Sequence, residues 1–401
     1  MKNWEVKKLG EVCIVERGSS PRPIEKYQTD SVDGVNWIKI GDTKGVDKYI
    51  YKTKEKITKE GAEKSRYVKE GDFILSNSMS FGNPYIMKTD GYIHDGWFVF
   101  RLPDYLDKDY FYYLLTSPTV QKQIQSLGAG AIVKNISGDL VKRVDITFPK
   151  SLPEQQRIVA ILDEAFAAIA KAKANAHQNL QNAKELFESY LQGVFENKGE
   201  GWEEKTLGEI ADVEYGYTDK STEEGDYRYV RITDIDKNGE LILEDKKYIK
   251  YSKEAEEFLI QNNDLLMART GATFAKVLLF DGDEPSVFAS YLIRIKFKEK
   301  IENALYWHFT KTKNYWEQAN SLQSGAAQPH FNGAAVKQVV FAYPKSVKEQ
   351  KVLIAKFEKL SIETKKLESI YQQKIKDLEE LKKSILQKAF SGELKTVRGE
   401  V

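Results

Sequence analysis

At 401 residues, 41% hydrophobic and 12% aromatic, the chain has enough apolar material for two or three cores, which excludes a disordered polypeptide. One cysteine, Cys13, excludes an intramolecular disulfide. The opening MKNWEVKKLGEV has no apolar leader segment, and no run nears the roughly 20 apolar residues that span a bilayer, so a soluble cytoplasmic protein is expected. The net charge of +1 divides as +4 over residues 1–150, −2 over 151–200, −5 over 201–345 and +4 over 346–401. Bulk charge alone therefore does not announce a polyanionic partner.

Residues 1–150 read as mixed α and β. The runs VNWIKIGD, GDFILS and GWFVFRL are rich in β-branched and aromatic residues and bounded by Gly, Asp and Asn, as strands are, while KDYFYYLLTSPTVQKQIQSL has helical periodicity. Residues 151–200 open with Ser151-Leu-Pro-Glu154, the S-x-x-E form of a helix capping box. Apolar positions then step 4-3-4-3-4 through Ile158, Leu162, Ala165, Ile169, Ala172 and Ala176, the seam of a coiled coil. Residues 201–345 repeat the mixed pattern with NDLLMAR and FASYLIRIKF as strands and ENALYWHFTKTKNYWEQANSL as helix. Residues 346–401 open with Ser346-Val-Lys-Glu349, and Leu353, Phe357, Leu360, Thr364, Leu367 and Tyr371 take the same 4-3 steps. Each helix is expected to run about 40 residues, or about 60 Å.

This order is a tandem duplication. PKSLPEQQ from Pro149 returns as PKSVKEQK from Pro344, an offset of 195 that also places Gly130 on Gly325, Gly138 on Gly333 and Ser189-Tyr-Leu-Gln on Ser384-Ile-Leu-Gln. WEVKKLGEV from Trp4 returns as WEEKTLGEI from Trp202, at an offset of 198. A period near 200 residues is a domain duplication rather than a solenoid. The expected fold is α+β: two globular domains, 1–150 and 201–345, and two helices, 151–200 and 346–401, paired as an antiparallel coiled coil with pseudo-two-fold symmetry.

Several enzyme classes fail on spacing. NPYI at Asn83 lacks the second proline of an adenine methyltransferase motif, and no glycine-rich phosphate loop of the G-x-x-x-x-G-K-[ST] form is present. His94, His177, His308 and His330 are scattered, and one cysteine cannot complete a zinc cluster with them, so no metal site and no catalysis are expected.

The W-E-x-K-x-L-G-E openings, the GDFILSNS and NDLLMARTG strand-loop segments and the P-K-S-x-x-E-Q helix entrances resemble the specificity subunit of type I restriction-modification systems, over nearly the whole chain. The resemblance implies a DNA-reading subunit with two target recognition domains. It binds double-stranded DNA and two modification (methyltransferase) subunits that use S-adenosylmethionine. Two restriction subunits that hydrolyse ATP with Mg2+ can join, and the chain itself holds no cofactor and does not meet a membrane. Antiparallel helices would then hold two readers on successive major grooves, about 34 Å apart.

Polar loops after apolar strands are the candidates for DNA contact. They are Ser76, Asn77, Ser78, Ser80 and Asn83 in the first domain, and Arg269, Thr270, Thr273 and Lys276 in the second. Arg269 suits guanine and Asn77 adenine by bidentate hydrogen bonds. Lys134, Gln328 and His330, in the glycine-rich segments shared by both halves, suit structural or phosphate-positioning roles, and Lys44 with the lysines up to Lys69 suit phosphates. Two other readings fit the same residues: a coiled-coil scaffold carrying two interaction domains for proteins or glycans, and the recognition subunit of a two-subunit restriction enzyme.

Overall fold

The computed structural model describes residues 3–77, 82–127, 137–324 and 330–394. The chain divides into two compact units, Met1–Asn175 with Lys374–Val401 and Ala176–Gln373.

In the first unit the apolar runs become strands covered on both faces. A five-stranded sheet runs in the order Ile14–Arg17, Trp97–Arg101, Phe73–Ser76, Pro84–Met87, Tyr49–Ile50. Successive side chains of a strand face opposite ways. Phe98 and Phe100 accordingly enter a core with Phe111 and Leu114, on the helix Lys108–Thr116, whereas Trp97 and Val99 enter another with Ile38, Val68 and Ile93. Those last three residues belong to a four-stranded sheet ordered Glu55–Ile57, Val35–Ile38, Gly91–Ile93, Arg66–Val68. A two-stranded ladder pairs Trp4–Lys8 with Asp145–Pro149 and closes the unit.

The second unit repeats this plan. Trp202–Thr206 pairs with Val340–Pro344, and a four-stranded sheet runs Ala211–Tyr215, Leu292–Phe297, Leu265–Ala268, Val277–Leu279. Alternation again splits the side chains: Leu265, Met267, Ile293 and Ile295 face one core, and Leu266, Ala268 and Leu292 the other. Arg294 takes an inward place on that second face, where Glu214 and Asp264 lie 2.8 and 3.3 Å from its guanidinium. Each helical segment breaks in two at a buried hydroxyl residue that caps the next helix. Ser117 separates Lys108–Thr116 from Pro118–Leu127, and Thr312 separates Asn303–Phe309 from Lys313–Leu322. The Tyr315 amide donates to the Thr312 hydroxyl at 3.3 Å, and proline following Ser117 suits a first helical position.

The two long helices are Leu152–Glu196 and Val347–Phe390, 45 and 44 residues. Within the first unit Ile158 and Leu162 share a core with Leu386, Ala389 and Phe390, and Lys173 bonds Glu379 at 2.6 Å. Within the second unit Leu191 and Phe195 share a core with Phe357. Ascending one helix descends the other in each unit, so the pair is an antiparallel coiled coil. Ile169 is buried, and Ala165, Leu353 and Leu360 are half-buried, as the 4-3 spacing requires.

Leu367 departs from that expectation, being 38% exposed. Past Thr364 the inward positions are Glu368, Tyr371, Ile375 and Leu378, a step of four where the heptad calls for three. A straight helix of 3.6 residues per turn drifts away from a 3.5 repeat, and two successive steps of four, Leu360 to Thr364 to Glu368, restore the inward face while rotating Leu367 to solvent.

Candidate nucleic-acid interface

Strand ends and their loops converge in each unit, held by matching backbone contacts. The Gly18 amide donates to Trp97 O at 2.8 Å, and the Gly216 amide, 198 positions later, donates to Leu292 O at 3.1 Å. A Cβ on Gly18 would lie 2.0 Å from His94 O, and one on Gly216 would lie 2.3 Å from Ala289 O, so each glycine is where two loops touch. These loops follow Ile14–Arg17 and Gly91–Ile93 in the first unit, Ala211–Tyr215 and Ser286–Phe288 in the second.

In the first unit Asp95 ties this cluster together. Its carboxylate accepts from the Ser20 hydroxyl at 2.7 Å and lies 3.3 Å from Arg22; its backbone oxygen accepts from Arg17 Nε and Asn77 Nδ2. Burial pushes the neighbouring His94 imidazole below its usual value. His94 Nδ1 accepts from the Gly96 amide at 2.8 Å, which leaves the proton on Nε2. Ser20, Arg22, Trp37, Lys39 and His94 line one open groove.

The second unit builds the cluster from different side chains. The Arg269 guanidinium lies over the rings of Tyr215 and Tyr291, 5.3 and 5.2 Å from their centroids. Thr270 bridges to His330, whose amide donates to Ser324 O, and the Phe331 amide donates to Arg269 O. The Tyr215 hydroxyl accepts from the Gly333 amide at 2.8 Å. Arg269, Thr270 and His330, separate candidates in sequence, thus come together here.

Other candidates are placed differently. Ser76 and Asn77 are fully buried, and Asn77 spends its side-chain amide on Asp95 O, so neither presents a base-reading edge at this surface. A strand continues inward here, where the sequence suggested a loop. Asn83 and Lys44 are exposed, the latter ending the short turn Ile40–Thr43. Among the lysines up to Lys69, Lys48 is half-buried against Asp109 and Tyr112, which removes it as a phosphate ligand. Ser78, Ser80, Lys134 and Gln328 lie outside the described residues. Thr270 is buried and Thr273 half-buried. The sequence reading passed over Arg22, His94, Tyr215 and Tyr291. A tyrosine directly before Gly216 was the signal available for Tyr215.

Lys276 lines a cleft with Lys184, Lys237, Lys311 and Lys365, where Lys365 pairs with Glu240 at 3.0 Å. Burial lowers the Lys311 ammonium from 10.5 to about 8, although its Nζ lies 3.1 Å from the Trp307 ring centroid. Below about pH 8 the folded protein holds a partly desolvated cation, a cost relieved as pH rises from about 8 towards 10.5 because the native state gives up its proton first. Lys311→Met is therefore expected to stabilise the second unit by about 1–3 kcal/mol at pH 7. The gain should fade above about pH 10, which urea denaturation at the two pH values measures.

A family model described as the type I restriction modification DNA specificity domain matches residues 1–178 and, a second time, 199–379. The chain is 26% identical over 234 residues to the type I restriction enzyme MjaIX specificity subunit of Methanocaldococcus jannaschii, covering 54% of this chain and 53% of that one. It is 26% identical over 314 residues to the StySPI specificity subunit of Salmonella potsdam, covering 73% of this chain and 67% of the relative. The matches thus span about half the length of the archaeal relative and two thirds of the Salmonella one. A solved chain of a type I R-M system superposes with a TM-score of 0.79 at 16% identity, covering 98% of this chain and 99% of that one. The HsdS subunit from Thermoanaerobacter tengcongensis superposes at 0.67 with 19% identity, covering 98% of each. At those identities the likeness speaks for the fold.

Proposed function

Because the chain belongs to the type I restriction modification DNA specificity domain family, we propose that it directs modification and restriction subunits to one bipartite, asymmetric DNA target. One recognition domain, within 1–150, reads one half-site, and the other, within 201–345, reads the second. The coiled coil sets the unread gap between them. The observation that carries this reading is the repeated loop cluster: the same strands and the same touching glycines present Ser20, Arg22 and His94 in one unit and Tyr215, Arg269 and Tyr291 in the other. One scaffold furnished with two sets of side chains suits two different short sequences.

The chain's own part is to bind and orient DNA. Methyl transfer and cleavage belong to the partner subunits, which use S-adenosylmethionine, ATP and Mg2+. Among the described residues no group of three or more His, Cys, Asp and Glu is placed to hold a metal ion, and no helix is long and apolar enough to cross a membrane. A cytoplasmic site of action follows from the DNA target. With a net charge of +1 the chain contributes few phosphate contacts beyond its loops, so the isolated subunit is expected to bind DNA weakly and to lose that binding steeply as salt rises.

Long-read sequencing of DNA methylation in cells with and without the gene tests the reading. Loss of N6-methyladenine from one motif of two unlike half-sites is the expected result. An unchanged methylome, with an active methyltransferase partner present, would overturn it in favour of a scaffold whose domains bind something other than DNA.

A further inference from the structure

The second unit has four arginines, and three of them face carboxylates: Arg228 with Glu284, Arg231 with Asp234 and Arg294 with Glu214, at 3.7, 2.7 and 2.8 Å. Arg269 differs. Among the described residues its guanidinium has no carboxylate within salt-bridge distance and no side-chain hydrogen bond, and its neighbours are the faces of Tyr215 and Tyr291. Tyr215 and Tyr291 are 43% and 53% exposed, so this cluster sits at the surface, where the strand-end loops converge.

Contact with two ring faces restrains the guanidinium and leaves its N–H donors available to a ligand. The stack removes much of the rotamer freedom that a lone arginine would lose on binding. A planar, pre-oriented fork of donors matches the O6 and N7 acceptors of guanine in the major groove. A phosphate can take the same fork, but such a contact carries no sequence information, so the methylated motif separates the two. Because no neighbouring carboxylate neutralises it, the cation also keeps its attraction for DNA.

We infer that Arg269, held against the faces of Tyr215 and Tyr291, reads a guanine in the half-site of the second domain, with the two tyrosines as positioning residues. This rests on the DNA-reading function proposed above and adds a base, a residue and a positioning device to it.

The test uses the full chain co-expressed with its modification subunits, with the methylated motif read by long-read sequencing. Arg269→Gln is expected to relax one guanine position of one half-site by about 5- to 150-fold and to leave every other position unchanged. Arg269→Lys keeps the charge but not the fork, and should relax the same position, which guards against a glutamine variant that fails to fold. Tyr291→Leu should relax that position partially, and Tyr291→Phe, which keeps the ring, should restore it. An even loss of methylation with an unaltered motif in the lysine variant would place Arg269 on a phosphate and overturn the assignment. Full guanine discrimination in the lysine variant would overturn it equally. A wild-type complex that methylates no bipartite motif would instead count against the DNA-reading function itself.

Discussion

Replacing Phe357 with alanine should lower the stability of the second unit by about 3–5 kcal/mol, the range for truncating a large buried ring. Phe357 is fully buried in the helix pair, 4.9 Å from the His308 ring, 6.0 Å from Phe195 and 6.1 Å from Tyr190, centroid to centroid. With Leu191 and Phe195 it is therefore one of the contacts through which the coiled coil and the globular part of that unit share one core. His308 sharpens the expectation: burial drives its imidazole down to about 3, and neither ring nitrogen has a hydrogen-bond partner among the described residues. Water admitted to the cavity beside it would hydrate those nitrogens and offset part of the loss, which places the expected value toward the lower end of that range. Leu367→Ala, ten residues along the same helix and 38% exposed, should cost well under the Phe357 value, at most about 1 kcal/mol. Urea denaturation followed by tryptophan fluorescence measures both, since Trp202, Trp307 and Trp316 pack against this core. A costly Leu367 variant beside a mild Phe357 variant would restore the strict heptad and refute the seam described here.

The pair Phe357 and Leu367 also shows where the sequence stops being informative. The strands and the duplication were legible because each rests on a local pattern: an apolar run of β-branched and aromatic residues in GWFVFRL, or a gap-free offset from Gly130 and Gly325 to Pro149 and Pro344. The helix seam was legible for as long as the 3.5 repeat holds, through Thr364. Beyond it, a second step of four in succession turns Leu367 outward, and leucine is apolar on either face. The interface was legible as a set of loops but not as a set of contacts. Tyr215, Arg269 and Tyr291 lie 54 and 22 positions apart and meet because their strands pair in one register, which no single segment encodes. The burial of Ser76 and Asn77 has the same origin. A polar residue directly after an apolar strand reads as a loop tip, yet the Asn77 amide donates to Gly96 O and keeps the segment inside.

The helix entrance P-K-S-x-x-E-Q, the first sign of duplication, now has a physical reason that yields the second large prediction. Gln155 and Gln350 are fully buried. Gln155 accepts from the Asp107 amide at 2.7 Å and donates to Tyr105 O and Pro149 O at 3.1 and 2.9 Å. Gln350 accepts from the Glu302 amide at 2.8 Å and donates to Lys300 O and Pro344 O at 3.2 and 2.8 Å. In each unit one side chain thus joins the end of a strand, the start of a helix in the globular part and the first turn of the long helix. No other side chain of that size offers one acceptor and two donors, which explains why the residue recurs. Gln350→Leu leaves one amide and two carbonyls buried without partners and should cost about 2–5 kcal/mol. Gln350→Glu keeps the acceptor but sets a carboxylate against two carbonyl oxygens, which raises its pKa. Protonation returns one donor, so this variant should be more stable relative to wild type at pH 5 than at pH 7. A loss below about 1 kcal/mol for the leucine variant, by urea denaturation, would mean that the glutamine is kept for a partner subunit and not for the fold.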